Sequence, residues 1–467
     1  YVYDVRHNRL TKLTEDGREQ IATISPNGRM VAYVKDNNVR LKKLDYNTDI
    51  AVTTDGEATK IINALPDWVY QEEFGLGNSF AWSPNDENGE NLILAFIRFD
   101  ESQVPMYHMQ MYQGAARPIA ANEIYPCSFD YKYPTAGQNN SVVSVVTYDI
   151  DNKKLKTMSL PASESYYIPN IKFADDPSQL LVTTLNRTQN LWSIFSVNPR
   201  SAVAKKIFEE QSDTWIAEAS VMGTVYNKDN FIVMSERSGH NHLYQYSYAG
   251  AQTRQLTSGD WEVTAYCGYN PTTKCHYFES TIKSPLDRTI AKVDAKGLIT
   301  PVVDKEGWFS AKFNKDCSYY IQNFCDVTTP NQYSVCNAAG KVVRELYNNE
   351  QLAQKYLAGN VPNREFFTME SDGVTLNGYM IKPVDFNPSK KYPVIMSQYS
   401  GPGSQSVSHK WKFDWENYFA TQGFIVACVD GRGTGYRGTD FKNCVYMKLG
   451  YYETIDQIAA AQYMASP

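Results

Sequence analysis

Hydrophobic and polar residues alternate along most of this chain, and the alternation comes in a repeating unit. A turn such as Ser25-Pro26-Asn27-Gly28 precedes an alternating strand from Met30 to Val34. A polar turn at Asp36-Asn37-Asn38 then returns the chain through Val39 and Leu41. Similar openings recur at Trp82-Ser83-Pro84-Asn85, Phe173-Ala174-Asp175-Asp176, Tyr226-Asn227-Lys228-Asp229, Tyr269-Asn270-Pro271 and Phe313-Asn314-Lys315-Asp316. Strand-like runs follow them, among them Leu180 to Leu185 with Leu191 to Val197, and Phe231 to Met234 with Leu243 to Tyr248. From Lys228 to Pro271 to Lys315 the steps are 43 and 44 residues, the length of one four-stranded propeller blade. Earlier steps are longer, so the early blades carry insertions. A solenoid or a string of β-sandwiches fits these lengths less well.

Near Leu352 the period changes. Glu350 to Leu357 reads as a short helix and Asn360-Val361-Pro362-Asn363 as a linker. Strands are predicted at Asn377 to Pro383, Pro393 to Tyr399 and Phe424 to Val429. The last two are near-continuous apolar runs, the pattern of strands covered on both faces. Tyr451, Ile455, Ile458 and Ala459 then share one helical stripe. The expectation is an all-β propeller over residues 1–355, incomplete at its N-terminus, followed by the N-terminal part of an α/β-hydrolase domain over 356–467, cut short before a nucleophile elbow.

Composition narrows the functional classes. A chain of 467 residues suits two or three domains, and 42% hydrophobic with 21% charged residues suits large buried cores. Thirty-four Tyr lean towards β structure. A net charge of -6 implies no polyanion partner, so nucleic acid is not expected. No apolar run is long enough to span a bilayer, and the first residues, Tyr1 to Val5, read as a strand rather than a signal segment. Eight cysteines lack any CxxC pair, which argues against structural zinc. Cys267 with Cys275, and Cys325 with Cys336, are each placed either to bridge or to remain buried thiols.

Three constellations can carry chemistry. Asp67-Trp68-Val69-Tyr70-Gln71-Glu72-Glu73-Phe74 reads as a short helix inserted in a blade. Its adjacent carboxylates are either a solvated pair or a grip for a primary ammonium, which offers three donors and one charge. The segment Tyr392-Pro393 through Tyr399-Ser400-Gly401-Pro402-Gly403 ends a strand in a Tyr and a Gly/Pro turn. In hydrolases such a loop supplies oxyanion donors, though a Tyr packed at a strand end is the plain alternative. Asp430-Gly431-Arg432-Gly433-Thr434-Gly435-Tyr436-Arg437-Gly438 contains a literal GxGxxG. A dinucleotide site needs a second strand ending in an acid about 20 residues later, yet Tyr451 to Met464 reads as helix, so these glycines are expected to shape a crowded loop. Only Gly431 and Gly435 have a GxSxG separation, and the residue between them is Gly433. The six His (7, 108, 240, 242, 276, 409) all precede the place of a hydrolase's catalytic His. His240 and His242, near each other in a turn, are read as surface residues rather than metal ligands.

The motifs Asp67 to Glu73, Asp260-Trp261-Glu262-Val263, Tyr392 to Pro402 and Asp430 to Gly435 occur in the order of the dipeptidyl peptidase IV family, within the prolyl oligopeptidase family. The wording Gln398-Tyr399-Ser400-Gly401-Pro402 and Ala427-Cys428-Val429-Asp430 resembles bacterial members of the Bacteroides type. The resemblance implies an eight-bladed propeller capping an α/β-hydrolase, with peptide bound in the cavity between them. It implies that Glu72 and Glu73 bind the substrate's free N-terminal ammonium, so that cleavage follows the second residue. It assigns Tyr399 to the oxyanion hole and puts the catalytic Ser, Asp and His beyond Pro467, so the chain alone is expected to be inactive. The implied protein is a serine exopeptidase releasing Xaa-Pro or Xaa-Ala dipeptides, with no cofactor and no metal. It would be a homodimer outside the cytoplasm, periplasmic or at the cell surface. The alternatives are a non-catalytic propeller that binds peptides or proteins, and a prolyl tripeptidyl or acyl-peptide hydrolase. The chain departs from the family pattern in three places. The first blades are missing, and with them an Arg near the Glu pair; Ile216-Ala217-Glu218-Ala219 follows Trp215 where Phe and Arg are common; and Gln71 replaces the first of three acids.

Overall fold

The computed structural model describes residues 1–15, 17–90, 92–112, 124–161 and 166–465. The chain packs into two compact units: Tyr1–Met222 with Tyr226–Asn230 and Tyr248–Ala251, and Gly223–Val225 with Phe231–Ser247 and Gln252–Pro467.

The repeat read from the alternation becomes a succession of four- and five-stranded antiparallel sheets, with strands in sequence order except in the second, where Ile61–Asn63 and Phe80–Trp82 both pair with Ile93–Asp100. Four strands within Gln20–Ala51 form the first, and Tyr166–Phe173, Leu180–Asn186, Leu191–Val197 and Ala204–Gln211 form the third. The fourth, fifth and sixth run from Val225 to Gln255, Val263 to Pro301 and Trp308 to Tyr347. These are propeller-type blades, and the strands expected at Leu180, Leu191, Phe231 and Leu243 all form.

The second sheet carries the insertions that the longer spacing required. Its five strands lie between Ile61 and Thr157. A helix, Trp68–Glu72, interrupts the sequence between Ile61–Asn63 and Phe80–Trp82. A two-stranded hairpin, Met106–Met111 with Cys127–Lys132, precedes Val142–Asp149. One core joins the first two sheets, through Met30, Ala32, Val39 and Leu41 against Leu94, Phe96, Val146 and Tyr148. Each of these side chains sits at the inward step of a period-2 strand.

In the second unit, Ile232, Met234 and Leu243 pack on Val263, Phe278 and Ala291, and Ile290 packs on Phe309, Tyr320 and Phe324. The α/β part follows, with sheet order Arg364–Ser371, Val374–Ile381, Ile425–Asp430, Val394–Met396. The first two pairings are antiparallel, and Val394–Met396 lies parallel to Ile425–Asp430. The helix Tyr451–Ala465 packs on this sheet through Ala460, with Met369, Leu376 and Val429.

Several expectations need correction. The strand Arg364–Ser371 was not anticipated. The apolar run Pro393 to Tyr399 yields only three strand residues, with Val394 39% exposed, because this strand pairs with Ile425–Asp430 alone and so has only one neighbour. All eight cysteines are free thiols. Cys275 lies opposite Asn270 rather than Cys267, and Cys336 lies opposite Tyr320 while Cys325 faces Trp308, so neither suggested pair is in register. His242 is buried, hydrogen-bonded to Thr257 Oγ1 at 3.0 Å and to the Gly259 carbonyl at 2.9 Å; it fixes a strand start and is not a surface residue.

Candidate active site

The acidic pair sits on a helix too short to be stable alone, so its position depends on its anchors. Asp67 caps the start, accepting from the Tyr70 N–H at 3.0 Å, and its other oxygen accepts from Ser141 Oγ at 2.6 Å. Burial pushes the Asp67 carboxyl up, and these hydrogen bonds oppose that shift. Tyr70 is 2% exposed; its hydroxyl accepts from the Ile168 N–H at 2.7 Å and its ring meets Phe99 edge-on at 4.9 Å. Phe74 is buried against Tyr70 and Tyr167. With Tyr70 and Phe74 turned inward, Glu72 and Glu73 are left exposed, and neither carboxylate has an ion-pair partner among the described residues. Gln71 turns back to the Pro66 carbonyl at 2.6 Å, leaving the charge of the helix end to the two Glu. Ile216, in the departure after Trp215, is buried.

Tyr399 belongs to the second unit. Its strand ends at Met396, and Ser397 donates to the Ala427 carbonyl at 2.8 Å. The chain then turns sharply, with Ser400 in the left-handed region at φ 56°. Tyr399 is 77% exposed, at the mouth of a cleft of about 580 Å³ lined on one side by Gln398, Tyr399 and Ser400 and on the other by Glu453, Thr454 and Gln457. Gly401 is required beside it: a Cβ there would stand 2.5 Å from Tyr399 Cε1. An exposed phenol on a loop of fixed backbone is a donor aimed outward, able to meet an oxyanion that forms in front of it.

The glycine loop following Ile425–Asp430 holds the Tyr399 loop in place. Gly403 donates to the Gly433 carbonyl and Gly435 to the Ser404 carbonyl, both at 2.8 Å. The Asp430 carboxylate accepts the N–H groups of Ser406 at 3.0 Å and Val407 at 2.8 Å. A Cβ on Gly433 would meet Val445 at 2.8 Å, and one on Gly435 would meet the Gly403 carbonyl oxygen at 2.5 Å. The GxGxxG glycines are thus consumed by packing, and they are followed by the helices Thr439–Asn443 and Tyr451–Ala465 rather than by a strand with an acid at its end. Arg432, which sequence reasoning passed over, is nearly buried and is bound to Asp456 at 2.8 Å and Asp372 at 3.2 Å. Those hydrogen bonds, with Asp456 first, hold its guanidinium above the ordinary range. Among the described residues, no group of three His, Cys, Asp or Glu is arranged to hold a metal ion, and no helix is long and apolar enough to cross a membrane.

Comparison with known proteins bears on the family and the fold. Residues 1–331 match the dipeptidyl peptidase IV N-terminal region, and residues 411–467 match the prolyl oligopeptidase family. A curated relative from Aspergillus terreus, "Probable dipeptidyl-aminopeptidase B", is 31% identical over all of this chain and 53% of its own length. The dipeptidyl-aminopeptidase B of Aspergillus niger is 31% identical over 96% of the chain and 52% of its own length. The crystal structure of Porphyromonas gingivalis dipeptidyl peptidase 4 superposes with a TM-score of 0.93 at 40% identity, over 99% of this chain and 65% of that one. The chain therefore spans about half the length of the curated relatives it matches. With a propeller-type run of blades leading into the opening of an α/β-hydrolase, and with residues 1–331 matching the N-terminal family region, the chain belongs to the dipeptidyl peptidase IV family.

Proposed function

We propose that the protein is a serine exopeptidase that removes Xaa-Pro or Xaa-Ala dipeptides from peptides with a free N-terminus. In this reading residues 1–355 supply the propeller and 356–467 the start of the hydrolase domain. The observation that carries it is the exposed Glu72–Glu73 couple, without an ion-pair partner among the described residues, at the end of a helix whose buried face is fixed by Asp67, Tyr70 and Phe74. Two adjacent exposed anions attract a cation, and a primary ammonium can donate to both at once. An anchor of that kind measures distance: it determines how many residues lie between the leading amine and the bond attacked. Tyr399 is the oxyanion donor in this scheme, and the name of the Porphyromonas gingivalis relative accords with the dipeptide product. A location outside the cytoplasm follows from the family resemblance and is checked by cell fractionation.

The test uses the complete gene product and H-Gly-Pro-chromophore. Glu72→Ala and Glu73→Ala should each lower kcat/KM by ~10–100-fold, the loss expected for one charge-assisted hydrogen bond. The N-acetylated substrate should not turn over. Wild-type kinetics in both variants, or equal cleavage of the acetylated peptide, would reject the anchor. Release of tripeptides, read by mass spectrometry, would favour the tripeptidyl reading, and binding without turnover would favour a scaffold.

A further inference from the structure

The motif Asp260-Trp261-Glu262-Val263 matched the family by sequence but has no part in the scheme above. Trp261 stacks on Phe278 with ring centroids 5.9 Å apart and meets His242 edge-on at 4.9 Å. Val263 is buried in the same core. Between them, Glu262 exchanges backbone and side-chain bonds with Thr281, its N–H reaching Thr281 Oγ1 at 2.9 Å. Both neighbours hold the backbone, and Glu262 is only 6% exposed.

A buried carboxylate costs several kcal/mol unless it is satisfied, so its partner identifies its purpose. Glu262 Oε1 accepts the Gly438 N–H at 2.8 Å, across 176 residues, at the end of the glycine loop. Burial pushes the Glu262 carboxyl up, and the Gly438 hydrogen bond opposes it. The same corner is fastened twice more. Thr439 donates to the Gly239 carbonyl at 2.8 Å, and Lys442, itself buried, pairs with Glu236. Gly438 has φ +85°, and a Cβ there would lie 2.9 Å from His240 Nε2, so no larger residue keeps this approach. From Gly438 the loop runs back through Gly435 and Gly433, whose backbone bonds to Ser404 and Gly403 hold the turn bearing Tyr399. A parallel tie links Gln405, accepting from Arg288 Nη2 at 2.7 Å, to the fifth blade.

We infer that Glu262 is a positioning residue for catalysis: through Gly438 and the glycine loop it holds the turn that presents Tyr399. The inference rests on the oxyanion role proposed for Tyr399. The carboxylate never meets substrate in this arrangement; it limits the freedom of a donor whose catalytic effect depends on being in place before charge develops. Trp261 and Val263 secure the blade end of the link, and the packed glycines secure the other.

The test is a double-mutant cycle in the complete gene product, with kcat and KM measured separately on H-Gly-Pro-chromophore. Tyr399→Phe alone should lower kcat by ~10²–10³-fold. Glu262→Ala should lower kcat about tenfold with KM nearly unchanged, as for a misplaced catalytic group. Glu262→Gln, which keeps an acceptor for Gly438, should recover most of the loss. In the Tyr399→Phe background, Glu262→Ala should have no further effect on kcat. Should Glu262→Ala fail to accumulate as folded protein, Glu262→Asp replaces it: the charge stays, the oxygens withdraw from Gly438, and the same loss and the same non-additivity are expected. A kcat for the Glu262 variants equal to wild type, or losses that multiply with Tyr399→Phe, would overturn the positioning role while leaving the oxyanion reading intact. An unchanged kcat in Tyr399→Phe would overturn both.

Discussion

At the scale of single residues, side chains that look alike in the sequence have different environments. His276 is buried beside Tyr269, and its Nδ1 lies 2.8 Å from the Tyr266 hydroxyl. Burial brings its pKa down to about 4. The sign follows from linkage: with the folded value below the unfolded one near 6.5, the unfolded chain binds the extra proton. Stability from this site is therefore complete above pH 6.5 and is lost progressively as pH falls towards 4. His276→Gln, which retains a polar partner for Tyr266, should flatten the fall in denaturation midpoint between those pH values; a slope equal to wild type would show that another group governs it. The sequence singled out Glu72, Glu73 and Tyr399 as candidates because their motifs are local. It could not reveal Glu262, whose role comes from a contact 176 positions away, nor Arg432, whose partner Asp456 lies on a helix read only for its apolar stripe.

At the scale of elements, alternation bounded by turn signals located the strands from Met30 to Leu41 and Leu180 to Val197, although Met30–Lys35, Leu180–Asn186 and most of Leu191–Val197 are buried on both faces. It failed for Arg364–Ser371, where Phe366 and Phe367 are adjacent and alternation breaks. It also failed for the hairpin Met106–Met111 with Cys127–Lys132, whose residues are mostly exposed, so that no inward face marks the pattern. The helix Trp68–Glu72 was legible from Pro66 and Asp67, but its dependence on distant anchors was not. Because the Tyr70 hydroxyl accepts the Ile168 N–H, Tyr70→Phe leaves a buried donor unsatisfied, at a cost of ~1–3 kcal/mol. The element loosened by that change carries Glu72 and Glu73. The expected outcome is a several-fold rise in KM for free-amine peptides with kcat little altered, measured by steady-state kinetics. An unchanged KM would mean that Asp67 and Phe74 hold the helix without this bond.

At the scale of the whole molecule, the exposed hairpin bears on assembly. Met106, Tyr107, Met109 and Met111 are each 36–43% exposed, and Phe129 is 56% exposed. Monomers seldom present so many large apolar side chains on one ribbon unless something covers them. A second copy of the chain would supply a cover of matching chemistry, since a two-fold axis sets identical apolar patches against each other. Met109 and Phe129 lie directly opposite in the hairpin register, which allows a discriminating pair of substitutions. Met109→Lys with Phe129→Glu places complementary charges across the two strands, so the hairpin keeps its internal pairing. Between two copies, the same change replaces an apolar contact with four charges that must lose water on association. Light scattering on the complete gene product should therefore show the doubly substituted protein at half the mass of the wild type, with circular dichroism unchanged. A wild-type dimer that survives both substitutions would place the interface elsewhere on the surface, and a wild type already monomeric would remove the homodimer itself.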